Sequence, residues 1–298
     1  MFIRQKIKER SKLLWFKLFE KKSLMRKLPS KSLKKDKIFV FFTMDLEYSP
    51  RYPKKDSYEG FKSYQEILEK NNILSTFFVC GEFATDHKKD VIDLSNNGNE
   101  IGSHGYGHVN LGPNVWWGKD FIPLTNVEMR KKSILKNHEL LFRILKKHPI
   151  SFRAPYLSID GTTLNILSKV GYKTDSSINN FLFGIPTIPY NPSKDNALRN
   201  GNIDIIEFFI TCSLSSLLDY KRVTFFNSDD LSKNIGIIDE AKEFSPYVVI
   251  LTHPWEFSDS FKPNPSERLR FLSQFISILK KNFNVDFLKI EDILISNK

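Results

Sequence analysis

The sequence predicts an α/β fold built on a parallel sheet or barrel, and three observations carry that prediction. Beyond Lys37, strand-like and helix-like segments alternate, the order of elements expected of a parallel α/β architecture. The first strand-like run, Ile38-Phe39-Val40-Phe41-Phe42-Thr43-Met44, is bulky and unbroken, as in a strand covered on both faces. With 298 residues and 41% apolar content the chain can bury a large core, and α/β barrels of roughly 200 to 250 residues form single domains. One domain is therefore expected over 38–298, preceded by an extension over 1–37.

Taken in order, the run 38–44 ends in Asp45-Leu46-Glu47. Side chains two apart on a strand share a side, so Asp45 and Glu47 can face one cleft while Leu46 turns to the core. A helix is expected over 57–71, a strand over 74–80 carrying a buried Cys80, and a helix over 86–97. Gly98-Asn99-Glu100-Ile101-Gly102-Ser103 then leads into His104-Gly105-Tyr106-Gly107-His108, where glycines disfavour a helix and favour a compact turn at a strand end. The stretch 112–123, with Trp116-Trp117, reads as a loop and a candidate substrate wall. Thr125-Asn126-Val127-Glu128 has capping-box spacing ahead of a helix over 125–148. The Pro- and Asn-rich stretch 184–202 reads as a long loop suited to covering a cleft. Strands over 203–210, 247–251 and 285–290 and helices over 229–243 and 265–282 complete the pattern.

Polar fragments fall at the ends of the apolar runs: Asp45-Leu46-Glu47, His104 to His108, Arg153-Ala154-Pro155-Tyr156, Asp175 and His253. Two histidines with one carboxylate, leaving a position for water, form the ligand set of a catalytic zinc rather than a closed structural one. One carboxylate can bind metal while the other remains a base, which points to a metal-assisted hydrolase. Each fragment alone also fits an ordinary role. His-x-x-x-His is a weak signal; Asp45 and Glu47 fit a solvated strand end, Arg153 a surface ion pair, Asp175 an N-cap and His253-Pro254 a turn. Their joint occurrence, each after a strand-like run, favours a site. His87, His138 and His148 lie outside the array and are assigned no role. Trp255, two residues past His253, is the tryptophan placed to line a cleft, where aromatic faces suit sugar rings.

In this order the array resembles the polysaccharide deacetylases of the NodB homology family, carbohydrate esterase family 4, from about residue 38 to about residue 290. The resemblance narrows the fold to a distorted (β/α)7 barrel with its site at the C-terminal ends of the strands. In Thr43-Met44-Asp45-Leu46-Glu47 it implies Asp45 as general base and Glu47 as metal carboxylate, although the family's common form has adjacent aspartates. It implies His104 and His108 as the imidazole ligands, with Gly105 in place of the usual hydroxyl residue. In Arg153-Ala154-Pro155-Tyr156 it implies that Arg153 holds the base, that Pro155 and Tyr156 border the substrate, and that the Tyr156 N–H faces the oxyanion, since Pro155 has no N–H. His253 matches the general acid and Asp175 the carboxylate that orients it. The implied cofactor is a divalent ion, zinc first, with Co2+, Fe2+, Mn2+ or Ni2+ as alternatives. The implied reaction is N-deacetylation of an amino sugar. The alternatives are a deformylase or other C–N hydrolase of the fold, or a non-catalytic carbohydrate-binding or scaffold protein, which would have little use for Asp45 and His253.

Charge is confined to one end. Residues 1–37 hold 14 Lys/Arg and 3 Asp/Glu, the whole of the +11 net charge, and the remainder holds 31 of each. A body without basic excess disfavours nucleic acid as a partner. The extension interleaves its lysines with Leu13, Leu14, Trp15, Phe16, Leu18 and Phe19, which fits a basic amphipathic helix on an anionic membrane, or a flexible basic tail. Its longest apolar stretch, Leu13 to Phe16, falls short of the roughly 7 to 15 residues of a signal-peptide core and the ~20 of a spanning helix. Cys80 and Cys212 provide no disulfide framework. The expectation is a cytoplasmic protein, peripheral on the inner face of the membrane, acting on an N-acylated amino-sugar glycan carried on lipid.

Overall fold

The structure, a computed structural model, describes residues 37–112, 125–179, 188–213, 222–243, 245–260 and 264–296. The extension 1–37, apart from Lys37, and Trp116-Trp117 lie outside the described residues. The sheet is built around β1 (Lys37–Leu46), whose bulky, β-branched and aromatic content suits a strand paired on both edges. β7 (Tyr247–Thr252) pairs with one edge through Phe39 to Met44. The other edge is shared, with β8 (Asn284–Phe287) along Lys37 to Val40 and β2 (Thr76–Val79) along Thr43 to Leu46. Beyond β2 the order continues through β3 (Glu100–Ser103), β4 (Ser151–Phe152), β5 (Thr174–Asp175) and β6 (Ile206–Glu207), every pairing parallel. Across the seam between β6 and β7, the Thr211 N–H donates to Val249 O at 3.0 Å and the Val249 N–H to Thr211 Oγ1 at 2.9 Å. The result is the distorted barrel expected from the sequence.

Alternation along β1 sorts its side chains. Ile38, Val40, Phe42, Met44 and Leu46 pack outward in the main core against the helices, whereas Phe41 joins Phe78, Phe208, Val249 and Leu251 inside the barrel. The inward set continues through Thr43 to Asp45, so the same register that buries Phe41 delivers a carboxylate to the barrel mouth.

The helices are α1 (Lys54–Lys70), α2 (Gly81–Asp86), α3 (Lys88–Asn96), α4 (Val127–Leu145), α5 (Gly161–Val170), α6 (Asp229–Lys242), α7 (Pro265–Asn282) and the short α8 (Ile293–Ser296). The helix expected over 86–97 is α3, and the short α2 ahead of it was not expected; the two are separated at His87 (φ −125°, ψ 43°), whose ring stacks on Tyr58 at 4.3 Å. The cap of α4 is Asn126, which accepts from the Met129 N–H at 2.8 Å, because Thr125 Oγ1 donates instead to Asn110 O. The strand expected over 203–210 narrows to Ile206–Glu207. Cys80 and Cys212 are both buried thiols. Among the described residues no helix is long and apolar enough to cross a membrane.

Candidate active site

The first carboxylates are placed by β1. Asp45 is its penultimate residue and Glu47 the first past its end, where the Glu47 N–H turns back to Asp45 O at 3.1 Å. Both reach the same imidazole: His104 Nε2 stands 3.3 Å from Glu47 Oε2 and 4.0 Å from Asp45 Oδ2. Leu46 between them is buried in the outer core.

The histidines come from the turn that ends β3. His104 extends the strand, its N–H donating to Val79 O at 3.0 Å. Gly105 (φ 70°) and Gly107 (φ 79°) then occupy the left-handed region that glycine enters without a Cβ clash, and His108 (φ 45°) enters it at a cost. Ser133 on α4 pins the turn, accepting from the Tyr106 N–H at 3.0 Å and donating to Tyr106 O at 2.6 Å. The compact turn expected from the glycines is what brings His108 back beside His104.

His104 Nδ1 lies 2.8 Å from Arg153 O. A carbonyl only accepts, so Nδ1 carries the proton and Nε2 offers a lone pair to the cleft. One ligand atom each from Glu47, His104 and His108 lies within 4.8 Å of the others. Glu47 Oε2 and His108 Nε2 are in close contact, buried, and without a hydrogen-bond partner. Two orphaned acceptors facing each other repel unless a cation or a proton lies between them. Burial pushes the Glu47 carboxyl up, but the adjoining His108 and His104 imidazoles outweigh it and hold it below the usual carboxylate range. Burial likewise pulls His104 down, and the Asp45 and Glu47 carboxylates outweigh that and raise it. The local field favours positive charge, and the donor set of one carboxylate and two imidazoles fits a divalent metal with an open position.

Arg153, the residue after β4, is fully buried. Its Nη1 donates to Asp45 Oδ1 at 2.9 Å and Thr43 Oγ1 at 2.7 Å, its Nε to Ser176 O and its Nη2 to Ser176 Oγ, both at 2.8 Å. The guanidinium also lies 4.2 Å from the Phe78 ring centroid. Asp45 is thus fixed by a side chain from the end of β4, three strands away in the sheet order. Pro155 opens a tight turn in which Tyr156 (φ 59°) and Leu157 (φ 52°) are both left-handed, and the Tyr156 ring meets His108 edge-on at 4.3 Å.

His253 enters from the end of β7, beside β1, with Nε2 4.0 Å from Glu47 Oε1 and Trp255 stacked on its ring at 4.6 Å. Its partner differs from the one expected. His253 Nδ1 meets Glu256 Oε1 at 3.0 Å, while the Asp175 carboxylate accepts from the Ser177 N–H (3.1 Å) and Ser177 Oγ (2.9 Å) and shares a hydrogen bond with Glu207. Asp175 lies on β5 beside β6, and its hydrogen bonds go to Ser177 and to Glu207 on β6. Burial raises Asp175, and burial with the neighbouring Asp175 charge holds Glu207 well above the usual carboxylate range. Sequence reasoning missed Glu207 and Glu256. The signal for Glu256 was its place three residues after His253 on a turn opened by proline.

Residues 34–174 match the family "Polysaccharide deacetylase". Over 112 residues, 38% of this chain, the sequence is 30% identical to the peptidoglycan-N-acetylglucosamine deacetylase of Bacillus cereus, and the match spans only about a third (32%) of that protein. A Mycobacterium smegmatis protein proposed to be a polysaccharide deacetylase superposes with a TM-score of 0.62 at 18% identity, covering 89% of this chain and 91% of its own. A PuuE allantoinase does so with a TM-score of 0.61 at 15% identity, covering 88% and 90%.

Proposed function

From the premise that residues 34–174 carry the polysaccharide deacetylase match, we propose that this protein is a metal-dependent amide hydrolase that removes an acyl group from the nitrogen of an amino sugar. The observation that carries the reading is the convergence on one cleft of Glu47, His104 and His108 with an Arg153-held Asp45 and, across from them, His253 Nε2. Glu47, His104 and His108 would hold a divalent ion, zinc first among them, which supplies a lowered pKa for water and polarisation of the acyl carbonyl. Asp45 takes the proton of the attacking water, and Arg153 keeps its carboxylate aimed at the cleft. The Tyr156 N–H donates to the developing oxyanion, Pro155 having none to give. His253 hands a proton from Nε2 to the departing amine, which leaves poorly without one. Trp255 and Tyr156 offer flat faces on which a sugar ring can rest.

The substrate favoured is a glycan precursor carried on lipid. Supporting it is the +11 charge of residues 1–37, interleaved with apolar residues and suited to an anionic surface. A second reading, hydrolysis of a non-sugar C–N bond, draws support from the fold shared with an allantoinase. Amine release from N-acetylated amino sugars, free and lipid-linked, tested beside allantoin, decides between them. Loss of turnover in Asp45→Asn and His253→Ala ties the activity to this cleft.

A further inference from the structure

We propose that Glu256, backed by Arg222, is the positioning residue for His253, fixing the imidazole so that Nε2 faces the cleft. The purpose of that ring rests on the hydrolytic reading above; its geometry does not. An ionised carboxylate only accepts, so the 3.0 Å contact between His253 Nδ1 and Glu256 Oε1 places the ring proton on Nδ1. The atom left to exchange protons is Nε2, which points at Glu47.

The backbone explains why this carboxylate does the work. His253 caps a 3-10 turn, Pro254–Phe257, and the Glu256 N–H donates to His253 O at 3.1 Å. Residues three apart eclipse in a 3-10 helix, so the turn itself delivers Glu256 over His253. Pro254 presets the first φ and gives up no needed N–H. The turn has little room to move. On α1, a Cβ at Gly60 would stand 2.0 Å from Pro254 O, so the two backbones are in direct contact, and Arg268 Nη1 donates to Glu256 O.

Arg222 completes the arrangement by bonding both Glu256 Oε1 and Leu251 O, linking the carboxylate to the strand that carries His253. Glu256 is 3% exposed. Burial pushes its carboxyl up, but the Arg222 charge and the His253 hydrogen bond outweigh it and bring it down to about 2. A buried carboxylate kept ionised by a cation gives His253 a permanent acceptor. Asp175, bonded to Ser177 and Glu207, is committed elsewhere.

The test reads the ring directly. In full-length protein with 15N-labelled histidine, at a pH where the ring is neutral, His253 should carry its proton on Nδ1, and Asp175→Asn should leave that tautomer unchanged. Glu256→Leu combined with Arg222→Met removes both charges and strands neither. That double variant should shift His253 toward the Nε2–H form that unconstrained imidazole prefers. Its kcat should fall by roughly 10²-fold with KM held within about twofold, the pattern of a lost transition-state contribution. An Nε2–H tautomer in the unaltered protein, or the Nδ1–H form persisting in the double variant, would overturn the proposal, as would Asp175→Asn changing the ring as much. Because the tautomer needs no substrate, a protein inactive on every amide would refute the hydrolytic reading while the ring still decides this one.

Discussion

Replacing Arg153 with methionine removes the cation that holds Asp45 while keeping most of the side-chain volume. The guanidinium is 0% exposed, and its loss breaks bonds to Asp45 Oδ1, Thr43 Oγ1, Ser176 O and Ser176 Oγ and its contact with Phe78. The dominant cost is electrostatic, because Asp45 is left as an uncompensated buried charge; breaking such a pair costs about 3–5 kcal/mol. A domain of this size shifts by roughly 2–4 °C per kcal/mol, so Tm should fall by ~6–20 °C. Adding Asp45→Asn to Arg153→Met should recover much of that loss, since the stranded charge goes with it. Urea denaturation of the two single variants and the double variant closes the cycle. Stability of Arg153→Met within about 1 kcal/mol of the unaltered protein, or two fully additive effects, would refute the idea that this ion pair sets the base in place.

Gly60→Ala drives a Cβ to 2.0 Å from Pro254 O, a backbone atom that cannot rotate aside; we expect about 1–3 kcal/mol of destabilisation by denaturation and reduced turnover from the displaced His253. Glu256 has a folded pKa depressed from 4.5 to about 2, so its contribution is present above pH ~4.5 and is lost as pH falls toward ~2. Relative to Glu256→Gln, the unaltered protein should lose roughly 3 kcal/mol across that window, read from stability curves at each pH. Asp45→Asn and His253→Ala should each cut turnover at saturating substrate by ~10²-fold or more while retaining the fold. Deleting residues 1–36, which lie ahead of β1, should abolish salt-sensitive pelleting with anionic vesicles and spare hydrolysis of a small soluble amide.

Where pattern and packing coincide, the site was legible in advance. The unbroken run ahead of Asp45 marked a doubly covered strand, and period-two alternation then placed Asp45 inside the barrel with Phe41. The glycines around His104 and His108 marked a turn rather than a helix, and their positive φ angles are what the turn requires. Short strands were harder to see: β4 and β5 span two residues each, too few to show a period, and β6 was expected over 203–210 but is equally short. Helix α5 escaped notice although Asp160 caps it and Gly171 (φ 112°) closes it, both ordinary boundary signals. The partner of His253 was misread because the motif order points to Asp175, whereas the 3-10 turn supplies a nearer carboxylate from the same segment. Position in a motif gives chain order; which acceptor reaches a ring nitrogen is set by the turn geometry.

Elemental analysis of the purified chain decides whether Glu47, His104 and His108 form a metal centre. About one divalent ion per chain is expected, lost in His104→Ala and in His108→Ala because two remaining ligands bind far more weakly, with Glu47→Asp keeping part of it. A folded protein that takes up no divalent ion from zinc, cobalt or manganese, or full occupancy retained in both histidine variants, would contradict it.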